Sequence, residues 1–434
     1  MKPFKDCKKQ FSFLILVLLV MVPIVFSCAQ TAEELNAKIS QKNSDIEKLE
    51  QEIKKYQTEL DDLGKQKNSL NVSIKQLDLT RKKLIADISV TENKIEKTNF
   101  KIQELSLDIG SKEDLIIKDK DAIKLGIKQT NESELNNFTQ VILSENNFTD
   151  VWNDIENIST IRETVREKIV ELKEIKSDLE DTRQETTDAR NELVSLKNKL
   201  ADQKKIVDQN TAEKKKLLAQ TKNSEISYQK LLKDKLAKKE AFEKELNDFE
   251  AQLKYILDPS TLPGSGVLSW PLDYVYITQK FGVTSASKRL YVSGSHNGVD
   301  FRASVGTPLK SMSDGVVAGI GNTDVQCPGV SFGKFVLLKY DNGLASTYGH
   351  LSLIKVKTGD RVTRGQIVGY TGNTGYSTAP HLHISVYAKD AVNLKTLPSK
   401  SCPGKTLTQP ISAVNAYLDP LFYLPKTGIA GFKQ

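Results

Sequence analysis

The chain has 434 residues, a net charge of +7, and only four histidines and four cysteines. That length accommodates two or three domains and excludes a single small module. The surplus charge is uneven: from Leu262 onward 17 lysines and arginines face eight aspartates and no glutamate. A basic domain of this kind suits a polyanionic partner.

The first 29 residues predict an export signal. Lys2, Lys5, Lys8 and Lys9 precede a 16-residue apolar run, FSFLILVLLVMVPIVF, which is short for a membrane span. Small residues in SCA fit cleavage after Ala29. Cys28 offers an acylated lipoprotein end as the rival, although Phe26 is bulky where a small residue is usual, and an uncleaved anchor is the third reading. Either way the chain is expected outside the cytoplasm. With Cys7 and Cys28 in this segment, Cys327 and Cys402 remain, and in an exported protein two such cysteines are expected to pair.

Residues 31–257 predict a coiled coil. From Leu35 to Ile109 a seven-residue repeat carries mostly isoleucine in one row (Ile39, Ile46, Ile53) and mostly leucine in the other (Leu49, Leu63, Leu70, Leu77). A looser repeat runs from about Ile161 to Leu231, and Phe242, Leu246, Phe249, Leu253 and Ile256 extend it after a phase shift. Two matched arms, about 31–125 and 158–257, with an asparagine-rich tip at about 126–157, predict an antiparallel hairpin, with a parallel homodimer as the alternative. Phe138, Val141, Ile142, Leu143, Phe148, Val151 and Trp152 in the tip would form a self-packed cap or a docking patch. The proline- and glycine-rich stretch 258–266 reads as a linker.

From Val267 to about residue 425 short strands alternate with glycine turns, and 426–434 is a tail. KFVLLKY, DNG and LASTYGHL read as a β-hairpin turning at Asn342-Gly343. The fold class is therefore α+β: a long helical coiled-coil hairpin, then a compact, mostly antiparallel β domain.

All four histidines fall in this domain. His381 and His383 of HLH are two apart on a strand and so share a face. Burying two imidazoles side by side is explained better by a metal or by catalysis than by packing. His296 and Asp300 bracket Gly298, which would let both side chains turn toward one centre. His350 closes the strand after the Asn-Gly turn, where alternation puts it on the face of Leu344, Ser346 and Tyr348. Two histidines and a carboxylate form a catalytic kind of zinc set that leaves one position open. Without a glutamate the domain cannot use H-E-x-x-H chemistry, so proton transfer falls to histidine or aspartate. Two histidines remain for a base and an oxyanion stabiliser.

The segments HNGVDFRASVGTPLKSMSDGVV, YGHL and GNTGYSTAPHLHISV closely resemble the LytM/lysostaphin-type zinc endopeptidases of bacterial cell walls, the M23 family, over about residues 267–390. The resemblance implies one zinc ion on His296, Asp300 and His383, with His350 and His381 serving the chemistry. It implies a compact antiparallel β peptidase domain and hydrolysis of the peptide cross-links of peptidoglycan, with no nucleic-acid role. Ser385 stands where relatives often have glutamate, and Ala379 where glycine is usual. The layout is similar to division-associated murein hydrolases and activators, in which the coiled coil docks on a membrane-embedded, transporter-like complex and restrains the hydrolase. Some of those proteins cut nothing and only activate other enzymes. A non-catalytic peptidoglycan-binding scaffold is therefore the alternative, while a spacer carrying a barrel-sandwich module leaves the histidines unexplained.

Overall fold

The computed structural model describes residues 32–426 apart from 65, 67, 136–147, 254, 286, 292 and 400. The signal segment, the centre of the tip (Phe138, Val141, Ile142 and Leu143) and the tail from 427 lie outside the described residues.

Among the described residues, the first part consists of four helices: α1 (Ala32–Gly64), α2 (Leu70–Leu135), α3 (Phe148–Thr221) and α4 (Glu225–Gln252). Helices α2 and α3 run antiparallel, since Lys214 reaches Asp78 at 2.6 Å while Lys168 reaches Asp119 at 3.1 Å. The heptad row is buried between them at Leu84, Leu105, Ile116 and Leu179. Among the described residues no helix is long and apolar enough to cross a membrane.

The first repeat is not one helix, although its heptads never slip. It breaks after Gly64, and α1 folds back along α2, so that Lys42 meets Asn93 at 3.0 Å and Glu96 at 2.6 Å. The break has a local cause: Gly64 lacks helix propensity, and the Ser69 hydroxyl accepts from Val72 N, capping the next helix. A heptad registers which face is apolar. It does not register whether that face continues straight or doubles back.

The second repeat is interrupted as well. Lys222 and Asn223 adopt positive φ of 49° and 55°, and α4 leaves the bundle at this turn. The Glu225 carboxylate accepts from Leu70 N, and Tyr228 pairs with Ser73, which fixes the root of α4. Beyond that root, Phe242 and Leu246 pack on Cys327, Val330, Cys402 and Leu407 of the β domain, instead of extending the coiled coil.

The β domain is built on a sheet whose strands lie in the order β1 (Ile277–Gln279), β2 (Val299–Arg302), β10 (His381–Ala388), β6 (Leu344–Gly349), β5 (Lys334–Tyr340), β4 (Gly315–Asn322) and β8 (Arg361–Val362), with a separate sheet of β3 (Pro308–Lys310), β9 (Ile367–Thr371) and β7 (Leu351–Ile354) and a hairpin of β11 (Asn393–Ser399) and β12 (Lys405–Ile411). The strands that carry the site are β2 (Val299–Arg302), β6 (Leu344–Gly349) and β10 (His381–Ala388). The hairpin expected at Asn342-Gly343 is present, joining β5 (Lys334–Tyr340) to β6, with Gly343 at φ 87°. Along β10, Leu382, Ile384 and Val386 enter a core shared with Phe301, Leu338 and Tyr348, so His381, His383 and Ser385 face the other way. Cys327 and Cys402 form a disulfide across 75 residues of sequence, tying the helical turn α6 (Thr323–Gln326; α5 is Ser287–Leu290) to the β11-β12 hairpin (Asn393–Ser399, Lys405–Ile411).

The bundle also touches this domain. Leu84 and Ile206 pack on Tyr370, and Asp202 accepts from the Tyr370 hydroxyl at 3.0 Å and from Lys355 at 2.9 Å.

Candidate metal centre

Strand pairing brings the three expected ligands together. Antiparallel register sets His383 of β10 directly opposite Asp300 of β2. His296 lies just before β2, where its backbone exchanges hydrogen bonds of 2.8 and 3.0 Å with Gly282. The resulting donor triangle is tight: His383 Nδ1 to Asp300 Oδ1 is 2.8 Å, His296 Nε2 to His383 Nδ1 is 3.2 Å, and His296 Nε2 to Asp300 Oδ1 is 3.3 Å. Tetrahedral zinc with bonds of about 2.0–2.1 Å needs donors about 3.3 Å apart, so two sides of the triangle match and the 2.8 Å side needs to open by about 0.5 Å to hold one such ion.

The outer hydrogen bonds orient the rings for this use. His296 Nδ1 faces the Lys280 carbonyl at 3.2 Å, which places its hydrogen there and leaves Nε2 for a metal. His383 Nε2 lies 2.9 Å from the buried Ser385 hydroxyl, leaving Nδ1 for the metal. Ser385 thus holds a candidate ligand from behind.

Gly298 has a different role from the one its position suggests. Its backbone needs no glycine-only conformation, but a Cβ there would meet the Ile384 carbonyl at 2.5 Å and the His383 ring at 2.6 Å. The glycine is there because the ligand ring lies directly against it.

His350 and His381 stand beside the triangle, their ring centroids 4.5 Å apart. His350 does not continue the alternation of β6. It takes a left-handed φ of 65°, which turns it out of the core face of Leu344 and Tyr348 and into the site. Its Nδ1 donates to the Thr374 carbonyl at 2.8 Å, and His381 Nδ1 donates to the Ala379 carbonyl at 2.8 Å. Both rings therefore direct Nε2 at the same space, and His381 Nε2 lies 3.8 Å from Asp300 Oδ1. Burial and the neighbouring imidazoles of His381 and His383 hold the His350 pKa well below the usual histidine range, keeping it neutral. Burial works to raise the Asp300 pKa, but hydrogen bonds from His296 and His383 outweigh it and keep this carboxylate ionised.

Several site residues carry no signal in the sequence. Tyr291 stacks on His296 with centroids 5.1 Å apart and planes 14° apart. Asp324 accepts from Gly375 N at 2.7 Å and so positions the loop whose Thr374 carbonyl holds His350. A cavity of ≈ 220 Å³ opens over the histidines, and α4 forms one wall with Lys239, Phe242, Glu243, Leu246, Asn247 and Glu250. Glu250 is fully buried and accepts from the Tyr417 hydroxyl at 2.8 Å. Such contacts depend on where the chain returns in space, which residue spacing does not record.

Residues 294–394 match the model of peptidase family M23. The chain is similar to the glycyl-glycine endopeptidase ALE-1 of Staphylococcus capitis, with 49% identity over 90 residues, 21% of this chain and 24% of the relative. It is also similar to the peptidoglycan DD-endopeptidase ShyA of Vibrio cholerae, with 36% identity over 118 residues, 26% of either protein. The catalytic domain of lysostaphin from Staphylococcus simulans matches with 30% identity and a TM-score of 0.25, over 34% of this chain and 90% of that one. The chain thus spans about a quarter of the length of these two curated relatives. His296, Asp300, His350, His381 and His383 all lie inside the matched segment, so residues 294–394 carry a peptidase family M23 domain.

Proposed function

We propose that this protein is an exported zinc metalloendopeptidase that hydrolyses peptide cross-links of bacterial peptidoglycan. The observation that carries the reading is the donor triangle of His296, Asp300 and His383, 2.8–3.3 Å on a side, with two further imidazoles aimed at the space beside it. Zinc held there would supply Lewis acidity toward water and a substrate carbonyl.

The protein side chains supply the remaining chemistry. His350 and His381, each with Nδ1 committed to a backbone carbonyl, offer Nε2 for moving a proton and for steadying a developing oxyanion. Asp300 is the one carboxylate of the candidate ligand set, so a zinc ion held there would keep a net positive charge. The basic surplus of the domain would hold it against an anionic wall.

The helical part would regulate. Helix α4 walls the cavity, so a substrate strand needs α4 to move. A membrane-embedded division or transporter complex that grips the coiled coil would provide that movement. The same wall favours the second reading, a scaffold that binds peptidoglycan or activates another hydrolase without cutting. What counts against it is that His350 and His381 offer Nε2 beside the His296, Asp300 and His383 donors.

The test is chromatography of muropeptides released from purified peptidoglycan by the zinc-loaded chain. The reading expects new uncross-linked peptides, and none from His381→Ala. Release by His381→Ala equal to that of the unaltered chain would refute the assigned chemistry, and no release by either, once α4 is detached by substitution of Phe242, would favour the scaffold.

A further inference from the structure

The cavity over the metal centre contains an ammonium group for which the peptidase chemistry has no use. Lys239 of α4 is buried, and its Nζ lies 4.2 Å from the ring centroid of Tyr376 and 4.9 Å from that of Tyr291. Two aromatic faces closing on one ammonium make a cation cage, in which each ring attracts the charge through its negative face. Glu243, one turn along α4, holds the same Nζ at 3.3 Å.

Ownership of these groups matters. The lysine and its countercharge both sit on α4 and leave with it. Both rings belong to the peptidase domain and stay. Tyr291 also stacks on His296, so the cage begins one ring away from a metal ligand. A group bound in it therefore lies beside the reacting bond. When α4 is withdrawn, the domain keeps a two-ring receptor for a cation and loses the cation that fills it.

We propose that Tyr291 and Tyr376 form a subsite for a primary ammonium group of the peptide substrate, which Lys239 occupies as an internal stand-in while α4 covers the groove. This rests on the endopeptidase reading and adds to it the class of residue recognised: one bearing a free amine near the scissile bond. It also explains why a lysine is buried on the face of α4 that carries Phe242 and Leu246. Substrate and helix compete for one cage, so a peptide rich in free amines would help to displace the helix.

Two measurements on the full, zinc-loaded chain carrying Lys239→Ala test this. The first titrates propylammonium, the atoms that the truncation removes, against 1-propanol, following Tyr376 by NMR. About tenfold tighter binding of propylammonium is expected, lost when Tyr376→Leu is added and retained with Tyr376→Phe, which keeps the ring. Equal affinity for the two probes, or a preference that survives Tyr376→Leu, overturns the cage. The second compares hydrolysis of a cross-link peptide with a free lysine-type amine and of its N-acetylated twin. The rate ratio is expected near ten and should fall toward one with Tyr376→Leu, whereas a ratio of one before that substitution overturns the proposed specificity. Hydrolysis of neither peptide counts against the endopeptidase reading alone, and the cage is then judged by the propylammonium titration, which needs no turnover.

Discussion

Replacing Glu250 with glutamine should make the docking of α4 insensitive to pH. The Glu250 carboxyl on α4 is buried against the β domain, bonded to Tyr417 and to the backbone of Ser412, and burial pushes its pKa from 4.5 up to about 7. In the undocked helix the same group is solvated and returns to its ordinary 4.5. The docked state therefore holds a proton that the undocked state releases. Because the pKa is raised on docking, its contribution is complete below about pH 4.5 and is lost as pH rises through about 7. At 1.36 kcal/mol per unit the swing is ~3 kcal/mol, roughly two orders of magnitude in the docked-to-undocked ratio. Glutamine keeps the acceptor oxygen for Tyr417 and cannot ionise. Hydrogen exchange of residues 239–250, taken as the ratio of unaltered chain to Glu250→Gln at each pH, cancels the intrinsic pH dependence of exchange. That ratio should be near one at about pH 4, rise by roughly two orders of magnitude by pH 7, and level off above it. A flat ratio would refute the reasoning, showing that the carboxyl docks ionised or that α4 does not open as a unit.

Other expectations follow from the same contacts. Ser385→Ala removes the group that holds His383 Nε2, and zinc affinity measured by chelator competition should fall about 10–100-fold with the fold unchanged by circular dichroism. Breaking the Cys327–Cys402 bond by Cys402→Ser should cost about 4 kcal/mol, as estimated from a closed loop of 75 residues, and show as a lower denaturation midpoint. It should also loosen α4, because Phe242 packs on that disulfide. Gly298→Ala should eject His383 from the ligand triangle, leaving a folded chain with little zinc.

The site was more legible than the fold around it. HLH on a strand fixes two imidazoles to one face whatever the rest of the domain does, and antiparallel pairing then needs only one register to set His383 beside Asp300. The Asn-Gly turn likewise announces its own hairpin. His350 was placed by chain position but not by direction, because strand alternation points it into the core and only a left-handed residue turns it out. Gly298 was noticed for flexibility, when what matters is the ring lying against it. The heptads found the apolar stripe of the bundle and missed both breaks, since Gly64 and the Lys222-Asn223 turn leave the repeat intact. Nothing in the phase-shifted run Phe242, Leu246 and Phe249 distinguishes a helix packed on another helix from one packed on a disulfide beside a cavity.

Everything proposed here depends on the donor triangle being a zinc site, and the metal content of the purified chain tests that most directly. Inductively coupled plasma mass spectrometry should find one zinc per chain, and close to none after His383→Ala in a protein that still folds. A correctly folded chain without zinc after incubation with excess Zn2+, or equal zinc in His383→Ala, would contradict it.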